Sequence, residues 1–184
     1  MTLDMSLSNN GFLELAFYEG LCLRPYYDSE GVLTIGFGET ITDIPNLASW
    51  DKSKYITVQN AIASYLSSLQ KYIDTVNKSL DVLVWQYQFD ALVSICYNIG
   101  QYGFSNSTFI KMINSNSSLL NIKDAILLWD KPPEIIKRRK NEVNLFINGN
   151  YSNNGFVELL DTDGKGHQLQ SSAKNIDLRP FFVT

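Results

Sequence analysis

The stretch that decides the fold reads Glu19-Gly-Leu-Cys-Leu-Arg-Pro-Tyr-Tyr-Asp-Ser-Glu-Gly-Val-Leu-Thr-Ile-Gly-Phe-Gly-Glu-Thr40. The residues just before it, Phe12 to Tyr18, have the apolar spacing of a helix. Gly20 predicts the end of that helix, because glycine readily takes the left-handed conformation that closes many helices. Glu19 is therefore expected in the last helical turn. There the negative end of the helix dipole and partial burial would favour its protonated form.

After Gly20 the sequence pattern changes from the spacing of a helix to that of short strands. The residues beyond it predict two short strands that turn at Ser29-Glu-Gly31. Such a hairpin, held just past the end of a helix, would bring Asp28 and Thr34 towards Glu19. A proton donor that faces a fixed carboxylate across a gap is the arrangement that glycoside hydrolysis requires.

The spaced string Glu-Gly-x-x-Leu-x-x-Tyr-x-Asp-x-x-Gly-x-x-Thr-Ile-Gly-x-Gly, which begins at Glu19, resembles the phage-type (T4-like) lysozymes of glycoside hydrolase family 24. By this resemblance, Glu19, Asp28 and Thr34 correspond to the family's catalytic Glu, Asp and Thr. The implied fold is α+β and mostly helical. A small β-hairpin lobe and a larger helical lobe are joined by a long helix, and the resemblance covers about residues 9–150.

Composition limits the classes of protein that this chain can represent. With 184 residues and 45% hydrophobic content, it is long and apolar enough for one domain or for two lobes that share a core. The net charge of −4 gives no basic face for nucleic acid. No run approaches the roughly 20 apolar residues of a membrane span, so stable membrane insertion is not expected. Cys22 and Cys96 lie in apolar runs and are predicted to be free buried thiols.

The predicted elements divide a single lysozyme-like domain into four parts. The parts are a hairpin lobe over residues 12–56, a connecting helix over 57–81, a helical lobe over 82–150 and an extension over 151–184. Thr57 is a suitable cap for the connecting helix, in which apolar residues recur at steps of three and four. Periodicity alone also allows an ordinary surface helix here.

The resemblance implies further site residues in the helical lobe. Asn98 corresponds to an amide that faces the cleft in the family, and Phe104 and Ser107 correspond to positions that line it. Arg138 corresponds to an arginine that pairs with the catalytic Glu, and the neighbouring Arg139 could serve instead. The alternative for the whole basic cluster at 137–140 is a solvated face of the last helix.

Three residues of the hairpin region complete the predicted site. Glu30 is expected to contact substrate or to serve the turn rather than to catalyse, and Gly38 is expected to contact substrate. Glu39 departs from the family pattern, in which a His usually follows Gly-x-Gly. In the family this His is often paired with an Asp in the next lobe, and a carboxylate cannot make that pair. We therefore expect altered hinge stability or an altered sugar contact rather than lost chemistry.

The extension shows no clear functional signal. Residues 161–166 hint at a calcium loop, but Lys165 occupies the third ligand position and no Glu closes the loop. We therefore predict a turn, and no metal or cofactor is expected. His167, the only histidine, is predicted to lie at the surface. The tail at 178–183 is apolar enough to pack on the body of the protein.

The resemblance therefore implies a muramidase that cuts the β-1,4 bond between N-acetylmuramic acid and N-acetylglucosamine in peptidoglycan, with inversion, for bacterial lysis. Two alternatives stay open. One is a peptidoglycan-binding module without activity, as part of a phage tail or secretion apparatus. The other is a lytic transglycosylase, which needs a single Glu and leaves Asp28 and Thr34 without a role.

The expected partners are peptidoglycan glycan strands, and the chain is expected to be a monomer. Residues 1–11 lack the basic start and apolar core of a secretory signal. We therefore expect synthesis in the cytoplasm and action in the periplasm or cell wall, after delivery through a holin pore or a secretion system. The added tail leaves room for an immunity or delivery protein.

Overall fold

The structure is a computed structural model that describes residues 4–182. The chain forms two compact units. The helical unit comprises the residues up to Glu14 together with Leu69–Asn154, and the sheet unit comprises Leu15–Ser68 together with the residues from Gly155 onward. No helix among residues 4–182 has both the length and the apolar character needed to cross a bilayer.

The sheet unit contains five strands and parts of two helices. Helix α1 (Asn9–Glu19) enters it from the helical unit, and α2 (Val58–Ser79) leaves it again. The strands are β1 (Leu21–Tyr27), β2 (Leu33–Gly36), β3 (Glu39–Thr40), β4 (Phe156–Thr162) and β5 (Gln168–Asp177). They lie in the order β3-β2-β1-β4-β5. All neighbouring pairs are antiparallel except β1 and β4, which run parallel.

The ends of α1 and α2 form where local sequence signals place them. The Ser8 hydroxyl accepts a hydrogen bond from the Gly11 amide (3.0 Å), which caps the start of α1. Gly20 has φ +70° and follows the last residue of α1. The Thr57 hydroxyl accepts from the Asn60 amide (3.1 Å) and caps α2 in the same way.

The extension adds β4 and β5 to the sheet, which the sequence did not predict. The turn of this hairpin lies between Thr162 and Gln168, so it overlaps the turn predicted at residues 161–166, whose first two residues end β4. The Asp163 carboxylate organises the turn by accepting hydrogen bonds from the Lys165 and His167 amides (2.8 and 3.1 Å). These bonds and the His167 ring, which lies 2.8 Å from the same carboxylate, lower the pKa of Asp163 to about 2. His167 is exposed, as predicted.

The predicted packing of the tail is seen for the residues that are described. Leu178 is fully buried, and its amide donates to the Gly155 carbonyl (3.0 Å) in the sheet unit. Phe181 and Phe182 are half-buried, and the remaining residue of the predicted segment, Val183, lies outside the described residues.

The helical unit is built around α3 (Gln86–Ile99), whose middle is buried on all sides. Around it lie α4 (Gln101–Ser105), α5 (Thr108–Asn114), α6 (Leu119–Leu127) and α7 (Ile136–Asn148). Asp90 is buried in α3 and accepts from the Ser8 amide (3.1 Å) and the Tyr151 hydroxyl (2.6 Å). This carboxylate therefore ties the two flanking segments of the unit to its central helix.

Both cysteines are free and buried, as predicted. Burial raises the pKa of the Cys22 and Cys96 thiols, the second to about 12. Neither thiol is therefore activated as a nucleophile.

Candidate active site

Glu19 is the last residue of α1 and belongs to the sheet unit. The Gly20 amide donates to the Ala16 carbonyl (3.0 Å), and the positive φ of Gly20 then turns the chain directly into β1. This turn places the half-buried Glu19 side chain at the negative end of the helix dipole, which favours a protonated carboxyl.

The β1–β2 hairpin orders the other two predicted catalytic residues. Tyr26 of β1 is paired with Thr34 of β2, and the Asp28 amide extends the ladder by donating to the Val32 carbonyl (3.0 Å). Because alternate residues of a strand share a face, Asp28 lies on the same side of the hairpin as Tyr26 and its partner Thr34.

The Asp28 carboxylate is held by one of its two oxygens. Oδ1 accepts hydrogen bonds from the Glu30 amide (2.9 Å) and the Val32 amide (2.8 Å). Among residues 4–182, Oδ2 has no hydrogen-bond donor. The turn therefore fixes the direction of the carboxylate and leaves one oxygen able to accept from a water molecule.

Thr34 is buried, with 3% of its surface exposed, and its hydroxyl donates to the Val32 carbonyl (3.0 Å). The single proton of this hydroxyl is therefore engaged, and its oxygen can act only as an acceptor towards a further molecule. Asp28 and Thr34 thus offer two acceptors and no donor on one face of the hairpin.

Tyr26 belongs to this group, although the sequence analysis gave it no role. Burial raises the pKa of its phenol, and the negative charges of four acids raise it further: Cys22, Asp28, Glu19 and Glu39. Glu19 and Asp28 are therefore both among the charges that act on this phenol. The alternation in Tyr-x-Asp is the sequence signal that could have indicated the shared face.

Glu39, which replaces the usual His, is buried beneath the hairpin with 2% of its surface exposed. Its Oε2 accepts from the Phe37 amide (2.7 Å). A Cβ on Gly36, whose φ is +67°, would lie 2.6 Å from the same oxygen. The expected sugar contact is therefore wrong, because no part of the carboxylate reaches the surface. The other expectation, that Glu39 affects stability, is consistent with its burial.

Burial also changes the ionisation of Glu39. It raises the pKa from 4.5 to about 7, although the hydrogen bond from the Phe37 amide acts in the opposite direction. The charge of Asp43 adds to the increase. Between about pH 4.5 and pH 7, folded Glu39 therefore holds a proton that the unfolded chain has lost.

We expect the folded state to lose stability between about pH 4.5 and pH 7 through Glu39. In that window the native state binds more protons than the unfolded state, so the free energy of unfolding falls as pH rises, by about 3 kcal/mol for this group. Glu39→Gln should remove this dependence and raise stability at pH 8. Denaturant unfolding at pH 5 and pH 8 measures both effects.

The control for Glu39→Gln is Glu158→Gln, at an exposed carboxylate of β4. This variant should retain the pH dependence of the wild type. Equal pH dependence in the wild type and Glu39→Gln would contradict the account of the buried carboxyl.

The two other hairpin residues predicted to bind substrate lie at turns of the sheet unit. Glu30 is exposed, and its amide donates to Asp28. Gly38 has φ +109°, and its amide donates to the Ile35 carbonyl (3.2 Å). Contact of either residue with substrate stays a prediction.

The cleft-lining roles predicted for Phe104 and Ser107 are not supported by the structure. Phe104 is fully buried and packs edge-to-face on Phe109, with ring centroids 5.6 Å apart. Ser107 is 4% exposed, and its hydroxyl caps α5 by accepting from the Ile110 amide (3.3 Å). Both residues therefore stabilise the helical unit and offer no surface to a ligand.

The basic cluster on α7 consists of two exposed lysines and two largely buried arginines. Lys137 and Lys140 are exposed, whereas the Arg138 side chain is 11% exposed and Arg139 is buried. Both guanidinium groups bind the buried Glu142 carboxylate. The solvated face predicted as the alternative therefore applies only to the two lysines.

Asn98 is linked to this cluster. Its side-chain oxygen accepts a hydrogen bond from Arg139, whose Nε also donates to the Trp129 carbonyl (2.9 Å). Asn98 is half-buried, and its contact with substrate stays a prediction. The pairing of Arg138 with Glu19 likewise stays a prediction.

Comparison with known proteins identifies the fold. The phage lysozyme family matches residues 16–142, which include the whole candidate site of the sheet unit. The chain belongs to this family. The match ends before β4, so the β4–β5 hairpin is an addition to the phage lysozyme region.

Curated relatives and solved structures agree with the family assignment. The endolysin of Salmonella phage P22 is 34% identical over 148 residues, which are 78% of this chain and 99% of that protein. The endolysin of Bacillus phage PZA is 31% identical over 81% of this chain, and the match spans 58% of that longer protein. The structure resembles an endolysin from Escherichia coli O157:H7 phage FAHEc1, with a TM-score of 0.73 and 30% identity. That match covers 83% of this chain and all of the other.

A bacterial structure also matches. The muramidase domain of SpmX from Asticaccaulis excentricus has a TM-score of 0.65 and 27% identity, over 77% of this chain and 97% of that domain. The resemblance inferred from the sequence and the α+β lysozyme fold are therefore confirmed. This phage lysozyme is a glycoside hydrolase that acts on peptidoglycan.

Proposed function

We propose that this lysozyme hydrolyses the β-1,4 bond between N-acetylmuramic acid and N-acetylglucosamine with inversion at the anomeric carbon. Glu19 is the general acid, and Asp28 and Thr34 hold the attacking water. The observation that carries this proposal is the Asp28 carboxylate, which two backbone amides fix through Oδ1, just after the strand whose Tyr26 pairs with Thr34.

The reaction requires two proton transfers. Glu19 gives its proton to the glycosidic oxygen as the bond to the anomeric carbon breaks, and positive charge develops on that carbon. A water attacks the opposite face of the sugar while its two hydrogens point at Asp28 Oδ2 and Thr34 Oγ1. Asp28 takes one proton, and the product is the α-anomer with a new reducing end.

The two carboxylates suit these roles because their surroundings differ. Glu19 ends a helix, where the dipole disfavours a negative charge. Asp28 accepts two backbone N–H bonds, which stabilise the negative charge that a base requires.

The test is a product analysis that also separates the alternatives. With soluble peptidoglycan glycan strands, we expect new reducing ends whose α-anomer appears first in time-resolved proton NMR. A β-anomer formed first would contradict inversion, and 1,6-anhydro products would identify a lytic transglycosylase. Binding to sacculi without new reducing ends would identify a binding module.

The proposed site of action is the bacterial cell wall, reached after delivery through a holin pore or a secretion system. We propose a monomer, because the three catalytic candidates all lie in the sheet unit of one chain. Residues Glu30, Gly38 and Asn98 are proposed to contact the glycan strand.

A further inference from the structure

We propose that the Tyr26 hydroxyl is a hydrogen-bond donor that positions the attacking water between Asp28 and Thr34. This inference rests on the proposed function, since it assigns a further residue to the same reaction.

The first support is the place of Tyr26 on the hairpin. It is the direct cross-strand partner of Thr34 and stands two residues before Asp28, whose amide continues the pairing by donating to the Val32 carbonyl. Side chains of a cross-strand pair lie about 5 Å apart at Cβ, and a residue two positions along a strand lies on the same face. The phenol therefore stands beside both groups that are proposed to hold the water.

The second support is the hydrogen bonding of the face. Asp28 Oδ2 and Thr34 Oγ1 are both acceptors, because the one is a carboxylate oxygen and the other has given its proton to the Val32 carbonyl. Among residues 4–182, the Tyr26 hydroxyl has no hydrogen-bond partner. It is therefore a donor that remains available on a face that otherwise offers acceptors.

The third support is the charge state of the phenol. Burial and the negative charges of neighbouring acids, Glu19 and Asp28 among them, raise its pKa. The group therefore keeps its proton throughout the pH range in which a carboxylate pair can work. A hydroxyl that cannot ionise is a permanent donor.

These observations meet the needs of one water molecule. A water has two hydrogens and two lone pairs. Asp28 and Thr34 accept the hydrogens, and one lone pair attacks the anomeric carbon. The second lone pair is left for a donor, which Tyr26 supplies. With Tyr26 in place, a single orientation of the water satisfies all its hydrogen bonds and points it at the sugar.

The test is Tyr26→Phe, which removes the hydroxyl and keeps the ring. We expect kcat on soluble glycan strands to fall about tenfold to a hundredfold, because an oriented water is required only in the chemical step. KM should stay within about twofold, and the thermal midpoint should stay close to that of the wild type. A lower kcat with nearly unchanged KM and thermal midpoint distinguishes a role in positioning water from a role in substrate binding or in folding.

Tyr27→Phe is the matched control. Tyr27 is the next residue of the same strand, is 45% exposed and faces the other side of the hairpin, where it packs near Lys52. Removal of the Tyr27 hydroxyl in this variant should leave kcat unchanged. An equal fall in kcat for both variants would overturn the inference.

Two further outcomes would also overturn it. One is an unchanged kcat in Tyr26→Phe, and the other is a raised KM with unchanged kcat. A wild-type protein that releases no reducing ends would instead overturn the proposed function, so the two failures are distinguishable.

Discussion

Glu19→Gln is expected to lower kcat on peptidoglycan by about a thousandfold or more, with little change in binding. The amide has nearly the shape of the carboxyl but cannot give a proton to the leaving oxygen, and general acid catalysis alone contributes roughly 10²- to 10⁴-fold. Release of reducing ends from purified sacculi measures the rate, and sedimentation with sacculi measures binding.

Glu158→Gln is the control for this substitution. Glu158 is an exposed carboxylate of β4 in the same unit, and its backbone carbonyl would lie 3.6 Å from a Cβ on Gly20. The control tests whether loss of any negative charge near the end of α1 impairs lysis. Full lytic activity in Glu19→Gln would remove Glu19 from the mechanism.

Asp28→Asn is expected to have an effect of similar size, with a fall in kcat of about a hundredfold or more and a small change in stability. The amide oxygen of Asn can still accept from the Glu30 and Val32 amides, so the turn should persist. The NH₂ group then replaces Oδ2 and turns an acceptor of the water into a donor. Kinetics and thermal unfolding of the same preparation separate the two consequences.

Asp51→Asn provides a matched control, because Asp51 also caps backbone in an exposed turn of the sheet unit. Its Oδ1 accepts from the Ser53 amide (2.8 Å) and hydroxyl (2.9 Å). Asp51→Asn should show the same small change in stability that is expected for Asp28→Asn, but its catalytic activity should equal that of the wild type. If Asp28→Asn unfolds the protein or retains kcat, Asp28 is a turn residue and not the base.

The β1–β2 hairpin could be predicted from sequence because its determinants are local. Gly20 requires a positive φ where α1 ends, Ser29-Glu-Gly31 supplies the turn, and the alternation from Tyr26 to Asp28 sets the face. Ser8 and Thr57 likewise indicate the starts of two helices, because each hydroxyl caps a backbone amide three residues later. Each signal acts within a few residues of its effect.

The β4–β5 hairpin could not be predicted in the same way. Its β4 pairs with β1, more than 130 positions earlier in the chain, at Leu21 with Leu159 and Cys22 with Leu160. Strand pairing at that separation depends on which edge of the sheet is open, and neither segment encodes that by itself. The mostly polar and exposed β5 also gives no apolar alternation to reveal it.

Burial of polar residues was the other limit of prediction. Glu39 and Arg139 are charged residue types, which a sequence argument assigns to the surface, yet both are buried. Arg139 pairs with Glu142, and Glu39 accepts from the Phe37 amide. Ser107 was given a ligand-binding role because its family position suggested one, whereas its hydroxyl is engaged at a helix start. Residue type indicates chemistry but does not indicate which partner is near.

The parallel pairing of β1 with β4 has a consequence for synthesis on the ribosome. While the nascent chain is shorter than about residue 160, β1 has one neighbour, and its other edge exposes unpaired backbone groups. The strand that connects Glu19 to Asp28 therefore gains its second neighbour only after the residues of the helical unit have been synthesised.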